Sequence, residues 1–252
     1  FHRYPDSSGY ELRKKIANKF KVKINNVILG NGSEGIMSSI MRTFLSADDE
    51  IISSKNSFIG FRVLANASGV KTNWVPMRNY KYDLVEISKF INNKTKLIYL
   101  ANPDNPTGTY FNKSKFDDFM KNVPDSVLVI LDEAYFEYGI DNSDFPDSMF
   151  YRYDNVITLR TFSKIYGLAA LRIGYGFAHD RLINNLMKVK LPFEPSTVAQ
   201  MAAISAIDDN DFVEKSVFEN KTNKVKIYEA LMRKNFKYIE SATNFITLIF
   251  NN

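Results

Sequence analysis

The 252-residue sequence has no cysteine, which excludes disulfides, zinc–thiolate centres and a cysteine nucleophile, and nothing in it requires an oxidising compartment. Histidine is nearly absent. His2 and His179 are the only two, which leaves little room for a His-rich metal centre or a Ser-His-Asp triad, and no metal is expected. Long apolar runs are missing too: no stretch approaches the ~18 residues of a membrane span, and Phe1-His2-Arg3-Tyr4-Pro5 is no signal peptide. Net charge is only +5, from 33 basic and 28 acidic residues. The basic residues are spread along the chain, which weakly favours anionic ligands without calling for nucleic acid. A cytoplasmic enzyme of ordinary globular composition, touching neither nucleic acid nor membrane, is the expectation. With no initiating Met, and an apolar run from Phe245 to Phe250 close to the end, the sequence is expected to be part of a longer protein.

Short aliphatic runs alternate with segments of helical period. Ser8-Gly9-Tyr10-Glu11 has the form of a capping box ahead of Leu12, Ile16 and Phe20, so a helix of about three turns is expected there. Val27-Ile28-Leu29 reads as a strand, followed by a glycine loop and a helix through Ile36, Ile40, Met41 and Phe44. Further strands are expected at 50–53, 73–77, 96–100, 127–131, 156–159 and 173–177, with helices between them, such as 113–122 after the cap Asn112. This alternation implies an α/β fold, a mainly parallel sheet sandwiched by helices. After Lys190 the character changes. Leu191-Pro192-Phe193-Glu194-Pro195 reads as a rigid connector, Ser196 as the cap of one long helical region running toward Arg233, and the final strand has no partner. The expected division is a large domain over 1–192 and an incomplete, smaller α+β domain over 193–252.

Gly30-Asn31-Gly32-Ser33-Glu34-Gly35 matches G-x-G-x-x-G between a strand and a helix, the form of a dinucleotide-binding loop. The acid that should end the next strand is missing, since Asp48, Asp49 and Glu50 precede that strand and Ser53-Ser54-Lys55 ends it. What remains is a tight turn and helix N-terminal amides suited to a phosphate, or a plain strand–helix turn.

Three other segments each follow a buried strand: Asn102-Pro103-Asp104-Asn105-Pro106-Thr107-Gly108, Asp132-Glu133-Ala134-Tyr135, and Thr161-Phe162-Ser163-Lys164 leading to Gly167-Leu168-Ala169-Ala170-Leu171-Arg172-Ile173-Gly174. In a parallel sheet the strand C-termini gather on one edge, where ligands bind. An amide, a carboxylate, a phenol, an amine and a guanidinium are thereby brought around one crevice. Singly, each has an ordinary explanation: Asp132 as a cap, Asn105 as a turn residue, Lys164 as a solvated amine, Arg172 as a salt-bridge partner. Their order is what is specific.

That order resembles the pyridoxal-phosphate aminotransferases of fold type I, and most closely the histidinol-phosphate aminotransferase family. The resemblance runs from Arg3-Tyr4-Pro5-Asp6 through all the segments above to Ala242-Thr243-Asn244-Phe245. It implies pyridoxal 5′-phosphate as cofactor, with Lys164, Asp132 and Tyr135 as the catalytic group. Lys164 would join the cofactor covalently and then shuttle the proton of transamination. Asp132 would face the pyridine nitrogen, and Asn105 and Tyr135 the ring 3′-oxygen. Arg172, Thr161 and Ser163, with backbone amides of Ser33 and Glu34, would bind the phosphate. Phe58 would stack on the ring where relatives place a tyrosine. Tyr4 would reach the phosphate of the neighbouring subunit's cofactor, which implies a homodimer with shared active sites.

The implied reaction moves an amino group between histidinol phosphate and 2-oxoglutarate in histidine biosynthesis, so the partners are a small amino donor and a 2-oxo acid. Two departures bear on substrate. Glu194 stands where many relatives carry Asn, and the arginines expected to grip the substrate phosphate would lie beyond Asn252. Threonine-phosphate decarboxylase and aromatic aminotransferases share the same cofactor residues and remain open. So do an NAD-dependent oxidoreductase using the glycine loop and a non-enzymatic regulator on this fold, although no helix-turn-helix is visible.

Overall fold

The computed structural model describes residues 2–148 and 153–250. Its helices and strands run α1 (Tyr10–Lys19), β1 (Val27–Gly30), α2 (Gly32–Phe44), β2 (Glu50–Ser54), α3 (Ile59–Ser68), β3 (Lys71–Val75), α4 (Leu84–Lys89), β4 (Thr95–Ala101), α5 (Lys113–Met120), β5 (Leu128–Asp132), α6 (Phe136–Gly139), β6 (Val156–Thr161), β7 (Gly174–Phe177), α7 (Asp180–Val189), α8 (Thr197–Ala206), α9 (Asn210–Arg233), β8 (Lys237–Ile239) and β9 (Thr247–Ile249). Seven strands form one sheet in the order β1-β7-β6-β5-β4-β2-β3. The block from β3 to β6 is parallel, and β7 runs antiparallel between β6 and β1.

The near-continuous apolar strands are buried because helices cover both faces. Alternate residues take opposite sides: Ile51, Leu97, Tyr99, Ile130 and Ile157 pack with α2, α3 and α7. Ile52, Ile98, Leu100, Val129 and Leu131 pack with α4 and α5. Across β1 and β7, Leu29 and Tyr175 pack against α1 and the Ala199–Ala203 face of α8. No helix among the described residues is long and apolar enough to cross a membrane.

Four sequence expectations are corrected. The Ser8 capping box does not form: Gly9, at φ 60°, is the N-cap of α1. Asp6 instead accepts the N–H groups of Ser8 and Tyr10 at 2.9 and 2.8 Å and the Ser8 hydroxyl at 2.9 Å, which draws that hydroxyl away from the helix. The third strand lies two residues earlier than its apolar run suggested, because Lys71 and Thr72 pair with Glu50 and Ile51. The long helical region is two helices. Ser196 caps α8, and Asp209 caps α9 by accepting the Phe212 N–H at 3.1 Å, since Asp and Asn side chains compete for backbone donors and end helices. Finally, the last strand has a partner: β9 pairs antiparallel with β8, whose three residues are too short to show an alternation.

The register sets the functional edge. Ala101 pairs with Asp132, Asp132 with Leu159, Thr161 with Gly174, and Gly174 with Gly30. The C-terminal ends of β4, β5, β6 and β1 therefore meet along one rim.

Candidate active site

A cavity of ≈ 270 Å³ opens on that rim, lined by residues of the glycine loop and of the three segments that follow buried strands, together with Phe58: Ser33 and Glu34, Asn105, Asp132 and Tyr135, and Thr161, Ser163, Lys164 and Arg172. Asp132 ends β5 and is 4% exposed. Its Oδ1 accepts the Ala134 N–H at 3.2 Å and its Oδ2 the Tyr99 hydroxyl at 2.9 Å. Burial raises its carboxyl to about 6, while the Tyr99 and Ala134 hydrogen bonds and the Lys164 charge pull it down and Glu34 pushes it up. The carboxylate is thus the main form at neutrality. Lys164 lies on the loop after β6, its Nζ 5.2 Å from the centre of the Tyr135 ring. Tyr135 is held by Asn105, whose Nδ2 donates to the phenol oxygen at 3.2 Å, and by an edge contact from Phe245 at 5.3 Å.

A second group of lining residues forms a cradle for an anion. The N-terminus of α2 presents its unpaired amides there. Arg172, at φ 51°, turns its guanidinium back to the Ser163 hydroxyl (3.3 Å) and to the Glu34 carboxylate (3.3 Å). Thr161 Oγ1 donates to Ser163 Oγ at 3.0 Å and accepts the Ser163 N–H at 3.1 Å. Two glycines let these pieces approach. A Cβ on Gly174 would sit 2.6 Å from the Ser33 nitrogen, and one on Gly32, at φ +70°, would collide with the Arg172 guanidinium.

The loops carrying Phe58 and Asn105 are tied together beneath the site. Ser57 donates to buried Asp104 at 2.6 Å and contacts the Tyr82 hydroxyl at 2.6 Å. Burial raises the Asp104 carboxyl, opposed by hydrogen bonds from Ser57 and Thr107.

Two residues singled out from sequence lie elsewhere. Tyr4 does not line the cavity; it is 76% exposed and stacks on Phe193 at 4.2 Å. Glu194 is absent from the lining as well, and its backbone carbonyl accepts a hydrogen bond from Lys190. Conversely, Tyr99 lines the cavity and bonds Asp132, yet sequence reading passed over it as one more apolar position of a strand. The glycine loop does not serve a dinucleotide fold. Its strand β1 is at the sheet edge, antiparallel to β7, whereas the dinucleotide fold sets that strand inside a parallel sheet.

The donor set fits pyridoxal 5′-phosphate on chemical grounds. A cationic and amide-rich cradle suits a phosphate, a buried carboxylate suits a protonated ring nitrogen, and the same cavity is lined by an amine. The fold is that of the fold type I pyridoxal-phosphate transferases. A solved structure of histidinol-phosphate aminotransferase from Sinorhizobium meliloti, in complex with pyridoxal-5′-phosphate, superposes with a TM-score of 0.91 at 28% identity, covering 98% of this chain and 67% of that one. The family model for aminotransferase class I and II matches residues 1–252. Histidinol-phosphate aminotransferase 2 of Carboxydothermus hydrogenoformans is 38% identical over 247 residues, covering 97% of this chain and 68% of that protein. The protein of the same name from Bacillus anthracis is 40% identical over 248 residues, covering 97% and 67%. The chain belongs to the class I and II aminotransferases, and the oxidoreductase reading is thereby withdrawn.

Proposed function

We propose that this aminotransferase binds pyridoxal 5′-phosphate on Lys164 and exchanges an amino group between histidinol phosphate and 2-oxoglutarate, a step of histidine biosynthesis. The observation that carries the reading is a single cavity lined by both the Lys164 amine and the buried Asp132 carboxylate. When bound, the cofactor supplies an aldehyde that takes up the amino group and a protonated ring that draws electrons from the substrate's Cα.

The protein's residues do the rest. Lys164 removes the proton from Cα of the amino donor and, in the second half-reaction, delivers one to Cα of the new amino acid. Asp132 keeps a proton on the ring nitrogen; opposite unit charges 4 Å apart at an effective dielectric of ~20 attract by about 4 kcal/mol. Asn105 and Tyr135, already hydrogen-bonded to each other, would offer donors to the cofactor's ring oxygen. Arg172, Thr161, Ser163 and the amides of Ser33 and Glu34 hold the phosphate, for which the guanidinium must share or exchange its Glu34 partner. Phe58, which lines the cavity, would offer an aromatic face to the ring.

The same reading makes the enzyme a homodimer in which Tyr4 serves the second copy's site. Its 76% exposure leaves the ring open to a second copy. The similarity to histidinol-phosphate aminotransferases supports the substrate. Borohydride treatment of the loaded protein, followed by peptide mapping, should fix the cofactor on Lys164, and histidinol phosphate with 2-oxoglutarate should yield glutamate. Label elsewhere, or no glutamate, refutes the proposal. Light scattering should give twice the chain mass.

A further inference from the structure

We propose that Tyr99 is a positioning residue for Asp132: its hydroxyl, donating to Oδ2, keeps that carboxylate ionised and oriented as the partner of the cofactor's ring nitrogen. This role rests on the cofactor reading above. The geometry comes from the sheet. β4 and β5 pair Tyr99 with Ile130 and Ala101 with Asp132, so Tyr99 and Asp132 are diagonal neighbours on one face. Tyr99 is fully buried, and its ring lies flat on Phe61 at 3.9 Å and 8°.

From Leu97 to Ala101 the strand is otherwise aliphatic. Packing alone would be met by phenylalanine, and a buried hydroxyl is unfavourable unless it is bonded. The hydroxyl's one hydrogen-bond partner among the described residues is the acid that the chemistry needs charged. Burial, with the Asp132 charge adding to it, holds the Tyr99 phenol well above its ordinary range, so it stays a donor. The charged groups acting on Asp132 include Lys164 after β6, which favours the carboxylate, and Glu34 on α2, which opposes it; Tyr82 and Asp104 act on Tyr99, and Asp132 acts on Tyr82 as well. Tyr99 is the largest influence favouring ionisation.

The test is the pH dependence of pyridoxal 5′-phosphate binding, followed by absorbance, for the wild type, Tyr99→Phe and Phe61→Leu, with thermal unfolding of each without added cofactor. Binding needs the carboxylate, so it falls as pH drops through the Asp132 titration. Losing the donor raises that titration. Tyr99→Phe should therefore move the midpoint up by about one pH unit, tenfold in proton affinity, as expected for one hydrogen bond to a charged group. Phe61→Leu, which disturbs the stack but keeps the hydroxyl, should leave the midpoint in place. An unchanged midpoint in Tyr99→Phe, an equal shift in Phe61→Leu, or a Tyr99→Phe protein that does not fold overturns the role. A wild-type protein that binds no pyridoxal 5′-phosphate overturns the cofactor reading itself, and this role with it.

Discussion

Replacing Arg160 by alanine should cost more stability than most single changes in this protein. Arg160 is 1% exposed. Its Nε donates to Glu133 Oε2 at 2.9 Å, its Nη2 forms an ion pair with the same oxygen at 2.8 Å and donates to Asp147 at 3.1 Å, and the guanidinium lies 3.4 Å from the centre of the Phe136 ring. Removing it leaves the Glu133 carboxylate buried beside Asp147 without its cation. Losing one partner of a buried pair costs about 3–5 kcal/mol, out of a typical total of ~5–15. For a chain of this size each kcal/mol is worth ~2–4 °C, so the melting temperature should fall by roughly 6–20 °C. Burial raises the Glu133 carboxyl and Arg160 opposes it. In the variant the acid protonates more readily, and the deficit measured by circular dichroism should be smaller at acid than at neutral pH. The double change Arg160→Met with Glu133→Leu should recover most of the loss, because it removes the unpaired charge. An Arg160→Ala protein melting within ~2 °C of wild type would refute the reasoning. Arg160 directly precedes Thr161 and Glu133 directly follows Asp132, so this pair joins the β6 and β5 ends that carry the site.

Lys164→Ala should abolish glutamate formation while leaving the melting temperature within a few degrees (~1 kcal/mol), since the residue is only partly buried and lines an open cavity; turnover retained in a cofactor-loaded variant would contradict the mechanism. Gly174→Ala should weaken pyridoxal 5′-phosphate binding by forcing the α2 N-terminus, 2.6–2.7 Å from the added methyl, out of the cradle. It should weaken binding of pyridoxal, which lacks the phosphate, much less, and equal losses would count against the assigned cradle. Glu50 is held at about 2 by hydrogen bonds from Lys71, Asn92 and Asn73. The stability it adds is complete above its ordinary value of 4.5 and is lost as pH falls toward 2. Glu50→Gln should flatten stability against pH in that window, and an unaltered acid-unfolding profile would exclude the role.

How much could be read in advance depended on whether a signal was local. Val127 to Leu131 announces a buried strand because five apolar residues run on between turn signals, and a chain of such strands and helices leaves few topologies. Asp132, Lys164 and Asn105 could be found because each lies just past such a run, and a parallel sheet places those positions on one edge. Ser8 misled because a capping motif is recognised from residue spacing alone, whereas the φ of Gly9 and the reach of Asp6 decide which donor is capped. Likewise β8 and β9 are each too short to carry a period, and only their mutual pairing defines them. Tyr99 is the more instructive omission. In a strand pattern a tyrosine counts with the aliphatics, and its hydroxyl carries no signal until the register of two strands 33 positions apart sets it against Asp132. Functional groups at strand ends declare themselves one segment at a time; a group that acts through another becomes visible only when pairing brings the two segments together.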